Sequence, residues 1–408
     1  MQRILIVGKS FSGLTNFLKE SGYDYIVLKD IQSSKHPEKK YKRRVLCDFS
    51  SKETVIETVA KIKDQVDGVI ATYENYILPA AWVAEYLGKP GLPVTAAEAC
   101  TDKWLMRQRF AAAPEKISPD FALITNEDEL RRFAEQHTFP LIIKPANLMK
   151  SLLVTKNHNL DELLANYRRT MEQIDAVYKK YAPNRQPQLL VEEFLEGSVH
   201  SVDAFVDADG KPYVLEQVVD YQTGYDIGFD DNFHYSRILP SKLSPEDQAA
   251  LRHCAAVGIQ TLGMKNSPAH VEIIMTKDGP RIVEIGARNG GYRERMHRLA
   301  NGIDITGNAL KLVLGQTPEI TARRNEPVAV LELFPKTPGN FAGIAHEEEL
   351  RQLPSLTYLS IKKKPGEYVG KSSDGFKMCA VVILHHADSE QFHRDLTFVN
   401  EHVRVVTE

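Results

Sequence analysis

Two glutamates, Glu272 and Glu284, flank an Asp278-Gly279 pair in the segment HVEIIMTKDGPRIVEIGAR, residues 270–288. Apolar and β-branched runs on both sides of Asp-Gly predict a β-hairpin. A three-residue loop, Lys277-Asp278-Gly279, puts Gly279 in the left-handed position such loops favour. Thr276 then faces Pro280, and Glu272 faces Glu284 with Cβ atoms about 5 Å apart. Two ionised carboxylates at that spacing repel unless a cation lies between them. Mg²⁺, or Mn²⁺ with its similar taste for oxygen, takes one or two carboxylates and fills its remaining positions with phosphate oxygens and water. A solvated glutamate pair is the simpler alternative. Against it, the same register places Ile274 and Ile282 on the Glu272 face. A two-residue loop would shift the pairing by one and separate the carboxylates.

Cations stand on both sides of this pair in the sequence. Lys144 closes the apolar run Leu141-Ile142-Ile143 and precedes Pro145, so one strand end offers both backbone and ammonium to an anion. Lys103 opens a predicted helix over Thr101–Ala113 that Asp102 or Thr101 caps. Lys150 and Ser151 lie in a loop, residues 146–153. Such point charges suit phosphoryl transfer, whose catalysis is mostly positioning and charge neutralisation. Arg288 adds a guanidinium able to grip phosphate or carboxylate through two hydrogen bonds.

These residues need strands and helices to hold them. Ile4–Val7, Tyr25–Leu28 and Gly68–Thr72 read as buried strands. Helices over Leu14–Lys19 and around Val55, Ile56, Val59, Ile62 and Val66 separate them. This alternation predicts a parallel, doubly wound sheet over residues 1 to about 95. The first turn, Gly8 to Gly13, matches neither the dinucleotide fingerprint nor the Walker A loop, and reads as a tight strand-to-helix turn. KHPEKKYKRR, residues 35–44, reads as a solvated basic loop.

Further strands are expected at Leu189–Val191, Ser201–Val206 and Tyr213–Val219, with helices at Asp161–Lys180 and Ala249–Leu262. Residues 220–240 show no clean period and are expected to form a long functional loop. Strands at Ala329–Leu333, Tyr358–Lys362 and Met378–His385, with a helix near Glu390–Val399, suggest a separate α+β module.

The 408 residues carry 51 Lys+Arg against 54 Asp+Glu, a net charge of −3 that argues against a general nucleic-acid binder. With 43% hydrophobic and 26% charged residues the chain is of ordinary globular composition, long enough for two or three domains. Cys47, Cys100, Cys254 and Cys379 lie too far apart for zinc or redox spacing and are expected to be reduced thiols of a cytoplasmic protein. No apolar run approaches the roughly 20 residues that span a bilayer, and the N-terminal residues lack a signal-peptide pattern.

Asp102-Lys103 with Met106-Arg107, then PLIIKP at 140–145, VEEFLEG at 191–197, Glu272, and Glu284-Ile285-Gly286-Ala287-Arg288 follow one another in an order that resembles the ATP-grasp superfamily. Within it the chain most resembles carboxylate–amine ligases of the L-amino-acid (dipeptide) ligase type, with biotin carboxylase the next nearest pattern. The resemblance implies an α/β ATP-grasp fold. Residues 1–98 would be a doubly wound parallel-sheet (pre-ATP-grasp) domain, 99–320 the ATP-grasp domain with a mobile lid at 116–205, and 321–408 a C-terminal α+β module.

It also implies ATP on Lys103, Lys144, Lys150 and Ser151, with the adenine edge read by the hinge Glu192, Glu193, Phe194 and Leu195. His200 would meet the ribose, although by itself a strand-start histidine reads as a surface residue. Glu272 and Glu284 would hold Mg²⁺, and Arg288 would meet the transferring phosphate or the acyl-phosphate. The implied activity joins a small carboxylic acid to an amine, amino acids above all, with release of ADP and phosphate. Tyr221, Tyr225, Asp226 and Arg237 become pocket candidates, an Asp suiting an ammonium and an Arg a carboxylate. A homodimer is left open.

Three departures stand out: residues 146–153 contain no Gly for the phosphate loop, Gly286 replaces a usual Asn, and Arg237 replaces a typical substrate-loop His. Two other readings follow. A bicarbonate-activating enzyme is one, although the chain lacks the Met-Lys-Met of a biotin carrier. A nucleotide-binding regulator without turnover is the other, opposed by the retention of Glu272, Glu284 and Arg288.

Overall fold

The computed structural model describes residues 1–10, 12–32, 34, 42–148, 152–182 and 185–408. Lys150, Ser151 and most of the basic run at 35–44 lie outside them. The chain opens with β1 (Arg3–Val7), β2 (Asp24–Asp30), β3 (Arg44–Cys47) and β4 (Gly68–Ile70), paired in parallel in the order β3-β2-β1-β4. Ile4 to Val7 are fully buried, as a central parallel strand covered on both faces requires. Helices α1 (Ser12–Glu20), α2 (Lys52–Ala60) and α3 (Ile77–Leu87) accompany this sheet. Gly8 turns the chain out of β1 with φ +87, and a Cβ there would lie 2.1 Å from the Tyr76 ring. The turn is a packing device, as its sequence suggests.

Helix α4 (Val94–Thr101) leads to α5 (Lys103–Ala111). Asp102 caps α5, its Oδ1 accepting from the backbone N–H of Trp104 at 2.9 Å and of Leu105 at 3.2 Å. Thr101 ends the preceding helix instead. A four-stranded antiparallel sheet follows, built from β5 (Phe121–Ile124), β6 (Leu141–Pro145), β7 (Thr155–Asn157) and β8 (Leu189–Glu193) in the order β5-β8-β6-β7. Helices α6 (Glu127–Gln136) and α7 (Leu160–Tyr181) pack on it through Leu130, Phe133, Leu163, Tyr167 and Ile174. The lid range expected at 116–205 contains this layer but runs on into the next sheet.

That larger sheet has nine strands. It begins with β9 (Gly197–Val206), β10 (Pro212–Val214), β11 (Val219–Thr223), β12 (His234–Leu239), β13 (Ser267–Thr276), β14 (Gly279–Gly286) and β15 (Val328–Leu333). Helix α8 (Pro245–Thr261) packs on β13 and β14 through Leu251, Ala255 and Ile259, while α9 (Arg293–Ala300) and α10 (Ile305–Val313) follow the hairpin. The remaining strands are β16 (Gly339–Ile344), β17 (Leu356–Ile361), β18 (Tyr368–Val369), β19 (Ala380–His385) and β20 (Val405–Thr407), with helices α11 (Glu347–Gln352) and α12 (Ser389–His402). The order β14-β13-β9-β11-β12-β15-β19-β17 carries the C-terminal strands into the same sheet as the hairpin. The C-terminal strands thus continue the hairpin's sheet, with β12 pairing directly with β15. Only β18-β16-β20 forms a small sheet of its own.

Two further expectations are corrected. The strand over Tyr213–Val219 is two, β10 and β11. Residues 220–240 are not one long loop: β11 and β12 pair at its two ends, and only the stretch 224–233 connects them. Their period was hidden by polar residues that the sheet satisfies internally, such as Ser236, whose Oγ donates to Gln222 Oε1 at 2.9 Å.

Candidate active site

The hairpin brings Glu272 opposite Glu284, by a different route from the one the sequence suggested. Its loop has two residues, Lys277 and Asp278, since Thr276 pairs with Gly279. Ile273 accordingly pairs with Ile282, which alone would misalign the glutamates. A β-bulge then adds Val283 to β14 and restores the Glu272–Glu284 pair. Bulges of this kind re-aim side chains beside functional sites. Backbone around this one is tied down: Arg107 Nη2 donates to Val283 O at 2.7 Å, and Ile282 N to Ile117 O at 2.6 Å. Ile282 does not share the Glu272 face; it is buried in the core with Ile273, and Ile274 faces Arg281.

Charge surrounds the pair. Lys103 Nζ lies 2.9 Å from Glu284 Oε2 and donates to Leu148 O at 3.3 Å. The lysine holds the Glu284 carboxyl below its usual range, against burial and the Glu272 charge. Burial would raise Glu272, but His270, with Nε2 at 3.6 Å, and the charges of His234 and Arg288 pull it well below the usual carboxylate range. His270 is itself fixed by Asp203, its Nδ1 2.7 Å from Asp203 Oδ1. Asp203 also accepts from Arg293 Nε at 2.9 Å.

A second cluster lies beneath. Glu192 accepts from Arg107 Nε at 2.9 Å and meets Lys144 Nζ at 2.6 Å, with all three side chains buried. Burial pushes the Lys144 ammonium down to about 8, only partly offset by Glu192. The Glu192 carboxylate is thus committed inside the protein. Glu193 accepts from the Asp120 backbone N–H at 3.1 Å, and Lys156 Nζ sits 3.8 Å from the Phe194 ring centre. Leu195 is half-buried in the connection to β9. His200 is a buried residue, not a surface one: its Nδ1 pairs with Asp220 Oδ1 at 2.9 Å and its Nε2 with Ser198 Oγ at 2.6 Å.

Arg288 leaves β14 toward the N-terminal sheet, where its Nε donates to Glu74 Oε2 at 2.7 Å. Glu74 follows β4, and sequence reasoning missed it. The signal available was position, since open parallel sheets hold ligands beyond the carboxyl ends of their strands. Gly286 matters here: a Cβ on it would lie 3.4 Å from Glu74 Oε2 and 3.5 Å from Arg288 Cζ. An Asn at 286 would push its amide into this ion pair.

A cavity of about 650 Å³ opens between the N-terminal sheet and the hairpin. Lys103, Glu284, Arg288, Glu74 and Asn147 line it, with apolar walls from Val69, Ile77 and Val313. Lys144, Glu192, Glu193, Phe194, Leu195, His200 and Glu272 do not line this cavity. Of the pocket candidates, none does. Tyr225 is 59% exposed, and Asp226 accepts from Thr223 N at 2.6 Å to close its own turn. Arg237 reaches Glu332 at 3.3 Å on β15, and its guanidinium stacks over the rings of Tyr221 and Tyr292.

Among the described residues, no three or more His, Cys, Asp and Glu side chains gather as a metal-holding group. Two opposed carboxylates whose side chains remain 23% and 34% exposed nevertheless fit Mg²⁺, which leaves its other positions to phosphate oxygens and water. All four cysteines are free and buried. No described helix is long and apolar enough to cross a membrane.

A nine-stranded sheet carrying a carboxylate hairpin, overlaid by a lysine-bearing antiparallel layer, agrees with what family comparison finds. A model described as ATP-grasp domain matches residues 137–294. Over those residues the chain is similar to the ATP-grasp family. More particularly, residues 332–408 match L-amino acid ligase C-terminal domain 2. Alanine–anticapsin ligase of Bacillus subtilis is 28% identical over 254 residues, 59% of this chain and 52% of that protein. Human carnosine synthase 1 is 24% identical over 375 residues, 87% of this chain and 44% of its own length. The chain thus spans about half the length of these relatives. The solved L-amino acid ligase from Bacillus licheniformis superposes with a TM-score of 0.78 at 18% identity, covering 100% of this chain and 99% of that one.

Proposed function

We propose that this protein is an ATP-dependent carboxylate–amine ligase that joins two small molecules, amino acids in the first place, through an amide bond. The observation that carries this reading is the Glu272–Glu284 pair with Lys103 on one side and the Arg288–Glu74 pair at the cavity wall. In the first step a substrate carboxylate oxygen attacks the γ-phosphorus of ATP, the bond to the β–γ bridging oxygen breaks, and ADP leaves. In the second, a neutral amine attacks the acyl carbon, the bond to the phosphate oxygen breaks, and phosphate departs as the nitrogen loses a proton.

Lys103 and Lys144 carry the positive charge that such a transfer needs near the phosphates. Glu272 and Glu284 are the residues to hold Mg²⁺, which when bound neutralises phosphate charge and orients the γ-phosphate. Backbone groups of Glu192 to Leu195 would read the adenine edge, and His200, its ring fixed by Asp220, would stand near the ribose. Lys150 and Ser151 would complete the phosphate site. Arg288 and Glu74 offer opposite charges 2.7 Å apart, a match for a zwitterionic substrate that inserts between them. The layer of β5 to β8 would close over the site and exclude water, protecting the acyl-phosphate from hydrolysis.

ADP release against pools of amino acids and small carboxylic acids, followed by mass spectrometry of the products, tests this directly. An amide mass with stoichiometric ADP is the expected result. No ADP release and no amide from any pool would refute the reading.

A further inference from the structure

A row of polar residues crosses the face of the nine-stranded sheet that carries the carboxylate pair. Ser201 and Asp203 stand on β9, opposite Glu272 and His270 of β13, which in turn stand opposite Glu284 and Gly286 of β14. Directly opposed residues share a face of the sheet, and so do residues two apart along a strand. Ser201, Asp203 and His270 are buried, and none of them lines the cavity. The row therefore acts on the site from within the protein.

Asp203 is its hub. Oδ2 accepts from Arg293 Nε at 2.9 Å and lies 3.4 Å from His297 Nε2, while Oδ1 meets His270 Nδ1 at 2.7 Å. Arg293 also donates through Nη2 to Ser201 Oγ at 2.8 Å and to the Tyr221 hydroxyl at 2.6 Å. Asp203 cannot swing away without stranding this buried guanidinium. On the far side of the imidazole, Nε2 stands 3.6 Å from Glu272 Oε1. Both partners are carboxylates that only accept, so the ring presents an N–H to each. The loop after β14 presses on the same ring: a Cβ on Gly290 would lie 2.5 Å from His270 Nδ1 and 2.6 Å from its Cε1.

A scaffold would need His270 only as far as Asp203. The other half of the ring is spent on a carboxylate that faces its like across the hairpin. We propose that His270 is the positioning residue of Glu272: anchored on Asp203 and confined by Gly290, it holds Oε1 and so orients the carboxylate toward the cation that Glu272 shares with Glu284. The inference rests on the metal reading of that pair given above.

Calorimetric titration with ADP, once with Mn²⁺ and once with EDTA, measures how far the metal tightens nucleotide binding. Wild type binds ADP more tightly with Mn²⁺, and that gain is the readout. An Asn side chain ends where Nδ1 does, so His270→Asn keeps an N–H for Asp203 and loses the one for Glu272. A Gln side chain ends where Nε2 does, so His270→Gln does the reverse. The gain falls about tenfold or more in His270→Asn, the scale on which such outer partners act on metal affinity. It is largely retained in His270→Gln. Gly290→Ala, which displaces the ring without deleting it, lowers the gain as well. ADP binding in EDTA is unchanged in all three.

A purely structural role predicts the opposite order, with His270→Gln the damaged variant. That order, equal loss in both variants, or a wild-type gain in His270→Asn would overturn the proposal. Should His270→Asn fail to fold, an undiminished gain in Gly290→Ala overturns it. Glu284→Gln separates the two ideas. A gain lost in Glu284→Gln but kept in His270→Asn removes the positioning role alone, whereas no gain in wild type removes the metal reading and this inference with it.

Discussion

Two charge clusters in this protein use the same ingredients to opposite ends. Arg107, Glu192 and Lys144 are buried together, with side chains 0%, 5% and 9% exposed, and one carboxylate answers two cations. Glu272 and Glu284, by contrast, meet across a hairpin while still partly exposed, and Lys103 and His270 each attend only one of them. The first cluster joins α5, β6 and β8 and fixes where the strand ends point. The second leaves like charges side by side for a ligand to reconcile. The difference teaches that a conspicuous ion pair is no guide to function: the closed cluster is scaffold first, and the open one is where chemistry is expected.

That contrast is broken most severely at Arg107. Arg107→Leu leaves Glu192 on Lys144 alone and Val283 O without its donor, and hydrogen bonds to a buried charged group are worth about 1.5–3 kcal/mol each. Urea unfolding should show a lowered midpoint of that size. Glu284→Gln is its counterpart. Activity is expected to fall about 10²–10³-fold, the scale seen when one electrostatic group is removed from a transition-state site, while the unfolding midpoint moves little. Full activity in that variant would remove the carboxylate pair from the mechanism.

pH sharpens the comparison at Lys144. Its ammonium is charged below about 8 and neutral above, so kcat/KM for ATP should decline as pH rises through about 8. Stability moves the other way. The folded pKa lies below the ordinary value of 10.5, so between about 8 and 10.5 the unfolded chain binds more protons and stability rises with pH. Unfolding free energy and kcat/KM measured over pH 7–10 should therefore diverge; a parallel decline would mean the lysine is not the titrating group. The smallest effect belongs to Tyr225→Ala, which should change activity by no more than about twofold, because this exposed side chain lies away from the cavity.

Much of this architecture was legible from the sequence. The parallel strands of the first hundred residues, the Asp102 cap, Lys103, Lys144 and the facing glutamates all rest on local patterns. What failed was long-range or compensated. The two-residue turn and the Val283 bulge are two irregularities that cancel, so the expected pair was right although the expected loop was wrong. Strands β11 and β12 escaped notice because Asp220, Gln222 and Ser236 spend their polar groups within the sheet. The joining of the C-terminal strands to the hairpin sheet has no local signature at all. Glu74 acquires meaning only through Arg288, which reaches it from beyond the end of β14.

The central claim is that these residues activate a carboxylate by phosphorylating it. Isotope transfer reads that step most directly. With the acid substrate labelled by ¹⁸O in both carboxylate oxygens, attack on ATP makes one labelled oxygen the bridge to phosphorus, and amide formation leaves it there. Mass spectrometry of the released phosphate should find one ¹⁸O per phosphate, matched to amide formed. Unlabelled phosphate accompanying labelled amide product would contradict the account.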